Sequence, residues 1–191
     1  MMTGLILAGG CSSRAKTNKL LLKVNNKPLI LNTIASLSSL VDELVVVTGK
    51  FDKELRPYLS NFKVVYNKDF ELGMFSSVKA GIKDINSDLL ILPGDISNVS
   101  SKTISSIIAN KGIITIPTYK GKSGHPLFLN KEMVNKLKQE DINSNLRAFI
   151  NSNIDYVNYI EVDDPFINFD VDTIEDYNRL VKQGKELTYE G

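Results

Sequence analysis

Six short apolar runs, each followed by a segment with helical spacing, constrain this chain more than any other feature: residues 4–8, 43–48, 63–66, 88–92, 112–117 and 154–160. Most are Leu, Ile and Val without polar alternation, the pattern of strands covered on both faces in a parallel sheet. Helices are predicted over 28–40, where Pro28 suits a first turn, and over 52–59, 75–85, 102–109, 131–138, 145–150 and 173–182. Val78 and Ile82 fall one turn apart on one face, and a serine pair before Lys102 offers a cap. Strands and helices alternating in this order predict an α/β fold: an open, mostly parallel sheet with right-handed crossovers and helices on both faces, three layers in all. Sheets of this kind take ligands in the crevice beyond the carboxyl ends of their strands.

The loop leaving the first strand fits that position. Leu5-Ile6-Leu7-Ala8 runs into Gly9-Gly10-Cys11-Ser12-Ser13-Arg14, and Lys19 follows five residues later. Paired glycines let backbone N–H groups approach an oxyanion and form an anion nest. Ser12 and Ser13 add hydroxyl donors, and Arg14 and Lys19 supply the charge that a triphosphate requires, with Lys16 close by. The loop is neither a G-x-x-x-x-G-K-[ST] phosphate loop nor a G-x-G-x-x-G dinucleotide fingerprint. A plain surface turn would account for two glycines alone; the strand-end position with Arg and Lys together favours phosphate binding.

Composition removes other chemistries. The chain has 191 residues, enough for one domain spanning residues 1–191 with a substantial core. Its formal net charge of +1 gives no global attraction to nucleic acid or membranes. Cys11 is the only cysteine and His125 the only histidine, so no disulfide, no cysteine zinc cluster and no Ser/His/Asp constellation is indicated. The first residues lack a signal-peptide pattern, and no apolar run approaches the roughly 20 residues that span a bilayer. The expected location is cytoplasmic.

Leu7-Ala8-Gly9-Gly10 to Arg14, then Lys19-Leu20-Leu21-Leu22 and Lys27-Pro28-Leu29, resembles the loop L-A-[AG]-G-x-S-x-R-M-G-x-x-K-L-L of the MobA-like nucleotidyltransferases, which include the enzymes that attach GMP or CMP to molybdopterin. Three further segments are similar to that family in order: Gly73-Met74-Phe75-Ser76-Ser77 onward to Ile82, Leu92-Pro93-Gly94-Asp95, and Phe169-Asp170-Val171-Asp172-Thr173 onward to Asp176. Ala15-Lys16 departs from the family's Met-Gly, and Ile174 from its proline. Gly9 matches guanylyl-transferring relatives, whereas 73–82 and Gly124-His125-Pro126 look more like the cytidylyl-transferring branch.

The resemblance implies a Rossmann-like sheet of the nucleotide-diphospho-sugar transferase type and an enzyme that uses Mg²⁺. Catalysis would fall to Arg14, Lys19 and Asp95. The nucleotide would lie against Leu7, Ala8, Gly9, Gly10, Ser12, Ser13, Arg14, Lys19, Gly73, Ser77 and Asp95, and the acceptor against Gly124 and His125. Asp95 and Asp170 would hold the metal, since Mg²⁺ takes one or two carboxylates together with phosphate oxygens and waters. Helix capping is the competing reading for Asp170 and Asp172, and for Asp172 it outranks metal binding. Ser76 and Ser77 at a helix start suit anions or ribose hydroxyls as well as capping. The implied partners are CTP or GTP, a small phosphorylated acceptor such as molybdopterin, and an enzyme that supplies or takes it. Rival readings are a transferase acting on a sugar phosphate, methylerythritol phosphate or phospholactate, and a nucleotide-binding module without catalysis.

Overall fold

The computed structural model describes residues 1–10, 18–24, 26–171 and 174–187. Its strands are β1 (Met2–Ala8), β2 (Lys23–Val24), β3 (Lys27–Pro28), β4 (Glu43–Thr48), β5 (Lys63–Tyr66), β6 (Asp88–Pro93), β7 (Ile114–Tyr119), β8 (Lys122–Ser123), β9 (Leu127–Leu129) and β10 (Val157–Glu161). Its helices are α1 (Leu29–Ser38), α2 (Asp52–Leu55), α3 (Met74–Ile82), α4 (Ser101–Ala109), α5 (Lys131–Gln139), α6 (Leu146–Asn151) and α7 (Ile174–Leu187).

The main sheet runs β10-β7-β9-β6-β1-β4-β5, with β8 hairpinned onto β7. β1 pairs in parallel with β4 and β6, β4 with β5, and β7 with β10. β9 lies antiparallel between β6 and β7. The sheet is therefore mixed but mostly parallel, as the apolar runs predict. Alternation along buried strands divides the core in two. Ile6, Val46, Leu90 and Phe128 face Ile30, Ile34, Ile104, Ile107 and Leu180 of α1, α4 and α7. Leu5, Val47, Ile91 and Leu127 face Val78, Ile82, Val134, Leu137 and Phe149 of α3, α5 and α6. Each face of the sheet thus carries a helical layer.

Helix starts follow local chemistry. Ser100, Asn130 and Asn145 each accept the backbone N–H of the third residue of α4, α5 and α6, closing donors the helix cannot use itself. The Lys120–Gly121 turn between β7 and β8 has positive φ at both residues, the twist that tight hairpins favour.

Two elements differ from the sequence reading. The predicted helix over 52–59 is a four-residue α2 followed by a 3₁₀ turn, Arg56–Tyr58, with Pro57 inside it. The strand expected from 154 begins at Val157, because Ile154–Tyr156 is another 3₁₀ turn. The segment before Asp170 forms a 3₁₀ turn at Pro165–Asn168. Among the described residues, no helix is long and apolar enough to cross a membrane.

Candidate active site

The carboxyl ends of β1 and β6 open onto a cavity of about 250 Å³ lined by Leu7, Gly9, Gly10, Asn18, Lys19, Gly73, Ser77 and Asp95, with Phe70 and Met74 on the outer wall. Its floor is fixed by backbone. The Gly94 N–H donates to the Leu7 carbonyl at 2.9 Å, and the Thr33 hydroxyl of α1 donates to the Gly94 carbonyl at 2.9 Å. These bonds set the turn that presents Asp95. Lys19 begins the 3₁₀ turn Lys19–Leu21, whose cap is Asn18, and its ammonium lies 2.7 Å from Asp95 Oδ2 with both side chains largely buried. Asn18 Nδ2 is buried without a hydrogen-bond partner among the described residues.

The two glycines are not equivalent. A Cβ on Gly9 would run into the Ser77 hydroxyl, whereas a Cβ on Gly10 meets nothing within 4 Å among the described residues. Gly9 is required by close approach; no described residue requires a glycine at position 10. On the opposite wall Gly73 adopts φ of 93°, a region that glycine reaches without penalty, and turns the chain into α3. Ser76 and Ser77 are buried in the first turn of that helix and both accept from the Asn67 side-chain amide, at 2.8 and 3.0 Å. Nothing in the sequence pattern had marked Asn67; its one clue was a polar residue directly after an apolar strand.

A second cavity, of about 670 Å³, adjoins the first at Met74, which lines both. Gly124, His125, Arg147, Asn151, Tyr159 and Asp170 line it above an apolar floor that includes Ile116 and Leu127. The His125 N–H donates to the Ile167 carbonyl at 2.6 Å, and its Nδ1 is buried without a hydrogen-bond partner among the described residues. Burial pushes the His125 imidazole below its ordinary value, outweighing the opposite pull of the Ile91 carbonyl and the Asp95 carboxylate.

The aspartates meet by a route the sequence did not suggest. Asp170 does not end a strand of the main sheet. It forms an isolated antiparallel bridge with Ile96, and the Val171 N–H donates to the Asp95 carbonyl at 3.4 Å. Asp95 thereby lines the first cavity and Asp170 the second, on backbone segments that run side by side. Among the described residues there is no cluster of three His, Cys, Asp or Glu arranged for a metal. Two carboxylates with ligand oxygens completing the shell is a donor set that suits Mg²⁺, whose coordination is all oxygen.

Of the other expected site residues, Ala8 is packed in the core at the end of β1 and does not line the cavity. The Ser76 hydroxyl donates to the Asp69 and Gly73 carbonyls in the turn that leads into α3. Ser12, Ser13, Arg14 and Asp172 lie outside the described residues.

A family profile described as MobA-like NTP transferase domain matches residues 4–157. The chain belongs to that family. It is accordingly a nucleotidyltransferase. A molybdenum cofactor cytidylyltransferase of Escherichia coli is 26% identical over 91% of this chain and 92% of its own length. A probable molybdenum cofactor guanylyltransferase of Natranaerobius thermophilus is 34% identical over 76% and 75%. Among solved structures, Rv0371c of Mycobacterium tuberculosis superposes with a TM-score of 0.84 at 25% identity, covering 95% of this chain and 97% of that one. A nucleotidyl transferase of Methanothermobacter has the same fold, with a TM-score of 0.84 at 24% identity over 98% and 99%.

Proposed function

We propose that this MobA-like nucleotidyltransferase moves CMP or GMP from CTP or GTP onto the phosphate of molybdopterin and releases pyrophosphate. One observation carries the reading: two carboxylates, one lining each of two adjoining cavities, are held on neighbouring backbone segments. A phosphate arriving from one side and an α-phosphate from the other would share that boundary. The names of the curated relatives support the molybdenum cofactor as acceptor, and they include both nucleosides.

The chain's own groups divide the work. Backbone N–H groups at Gly9 and Gly10, with Ser12, Ser13, Arg14 and Lys19, hold the β- and γ-phosphates, while Leu7, Gly73 and Ser77 bound the nucleotide. Asp95 and Asp170 would hold Mg²⁺, which when bound supplies charge neutralisation at the α-phosphate. Gly124 and His125 stand on the acceptor side. A phosphate monoester, with a second pKa near 6, arrives ionised at neutral pH, so no protein base has to deprotonate it. Positioning and electrostatics then account for the acceleration, as in phosphoryl transfer generally.

Thermal stabilisation against the four NTPs, each with and without Mg²⁺, tests the nucleotide half of this reading, since a ligand specific for the folded state raises the melting temperature. A Mg²⁺-dependent shift with CTP or GTP alone is expected and selects the base. Pyrophosphate release on adding molybdopterin tests the acceptor half. Asp95→Asn should abolish that release and leave the fold intact. Full turnover in this variant, or no shift with any nucleotide, would refute the assignment.

A further inference from the structure

We infer that Asn67 is a positioning residue: it fixes the Ser77 hydroxyl as a hydrogen-bond donor aimed at the nucleotide in the Gly9–Gly10 cavity. The inference rests on the reading of that cavity as the NTP site and assigns a role within it to a residue outside its lining.

The argument is a count of donors and acceptors. Asn67 is 3% exposed and directly follows β5, where its own N–H donates to the Thr48 carbonyl at 2.9 Å. The Asp69 N–H, which can only donate, meets Asn67 Oδ1 at 3.0 Å. That contact settles which way the amide faces: Oδ1 toward residue 69, Nδ2 toward α3. Nδ2 has two protons and finds two hydroxyls, Ser76 Oγ at 2.8 Å and Ser77 Oγ at 3.0 Å. Ser76 passes its own proton to the carbonyls of Asp69, at 2.8 Å, and Gly73, at 2.7 Å.

Ser77 differs. It has accepted from Asn67, so its proton remains to be given, and among the described residues no acceptor takes it. Its oxygen stands against Gly9, where the missing Cβ leaves room, and its side chain lines the cavity. An NTP presents oxygens and so supplies what a donor needs. The neutral amide behind Ser77 blocks the alternative, because an NH₂ group cannot accept the serine's proton.

Asn67→Asp tests this with almost no change of shape. A carboxylate accepts from both hydroxyls and from the Asp69 N–H, so it turns the Ser77 proton away from the cavity. Binding of Mg²⁺–CTP and Mg²⁺–GTP is measured by titration calorimetry on wild type, Asn67→Asp, Ser77→Ala and the double variant, with melting temperatures of the free proteins confirming the fold. Asn67→Asp and Ser77→Ala should each weaken the preferred nucleotide about 10- to 100-fold, the range expected for losing a hydrogen bond to a charged group. The double variant should be no weaker than Ser77→Ala alone. In turnover, KM for the nucleotide should rise while kcat changes less than about threefold.

Wild-type affinity in Asn67→Asp, or effects that simply add in the double variant, would overturn the inference. If Asn67→Asp does not fold, Asn67→Ala enters the same cycle and must show the same non-additivity with Ser77→Ala. A wild-type protein that binds neither nucleotide removes the reading of the cavity and the inference with it. A wild type that binds, with additive variants, removes the inference alone.

Discussion

At the scale of single residues the site depends on what has no side chain and on what has lost water. Gly9→Ala forces the Ser77 hydroxyl aside, so it should cost about 1–3 kcal/mol in a denaturant melt, the range for overpacking, and weaken nucleotide binding. Gly10→Ala, with nothing within 4 Å among the described residues, should leave stability within about 1 kcal/mol. Equal losses in the two variants would contradict the distinction. His125 is held neutral by its surroundings, with its proton affinity lowered chiefly by burial. Below about pH 6.5 the unfolded chain takes up a proton there that the folded chain resists. Stability should be full above that pH and decline as pH falls. Melting temperatures between pH 7.5 and 5.5 should drop more steeply in wild type than in His125→Gln; parallel curves would exclude His125 as the source. The sequence exposed Gly9, Lys19 and Asp95 because a glycine pair, a lysine and a strand-end aspartate stand out in line. It hid Asn67, whose partners are nine and ten residues away and meet it only after β5 and α3 pack.

At the scale of elements, strands buried on both faces were readable from hydrophobicity alone, since β1, β4 and β6 are apolar along most of their length, without polar alternation. β9 was not. Leu127, Phe128 and Leu129 are too few to show a period, and their pairing with β6 and β7 is set by tertiary contact. The cap of α4 was legible in its serine pair, but the buried Asp164 was not: its carboxylate accepts from Ser100 N–H at 2.9 Å and Thr103 hydroxyl at 2.7 Å, tying the turn before Asp170 to that helix. Helix α5 ends under a similar tie from outside. The Lys79 ammonium of α3 donates to the carbonyls of Leu137 (3.2 Å), Lys138 (2.5 Å) and Glu140 (2.7 Å), closing groups the helix leaves open. Burial lowers the Lys79 proton affinity, against the smaller opposite pull of Glu140 and Asp141. Lys79→Met should cost about 1–3 kcal/mol by chemical denaturation, as unsatisfied carbonyls do, and an unchanged midpoint would show that water replaces the ammonium without loss.

At the scale of the whole molecule, the strand order separates two halves. β5, β4, β1 and β6 carry the glycine-lined cavity; β7 and β10 carry the wall with Tyr159 and the loop to Asp170. Phe128, fully buried at the middle of β9, fills the core between them. Phe128→Ala should cost about 3–5 kcal/mol in a denaturant melt, and a loss under 1 kcal/mol would mean that the two sides hold without it. Family membership was legible from the spaced motifs, whereas the arrangement of Asp95 and Asp170 required the fold, because a single bridge between distant segments leaves no periodic trace. Within the main sheet the two halves exchange no hydrogen bonds except through the three residues of β9. That strand is a splice joining two girders, and the bridge between Ile96 and Asp170 braces the joint from outside the sheet, so a rotation of one half against the other has to strain both at once.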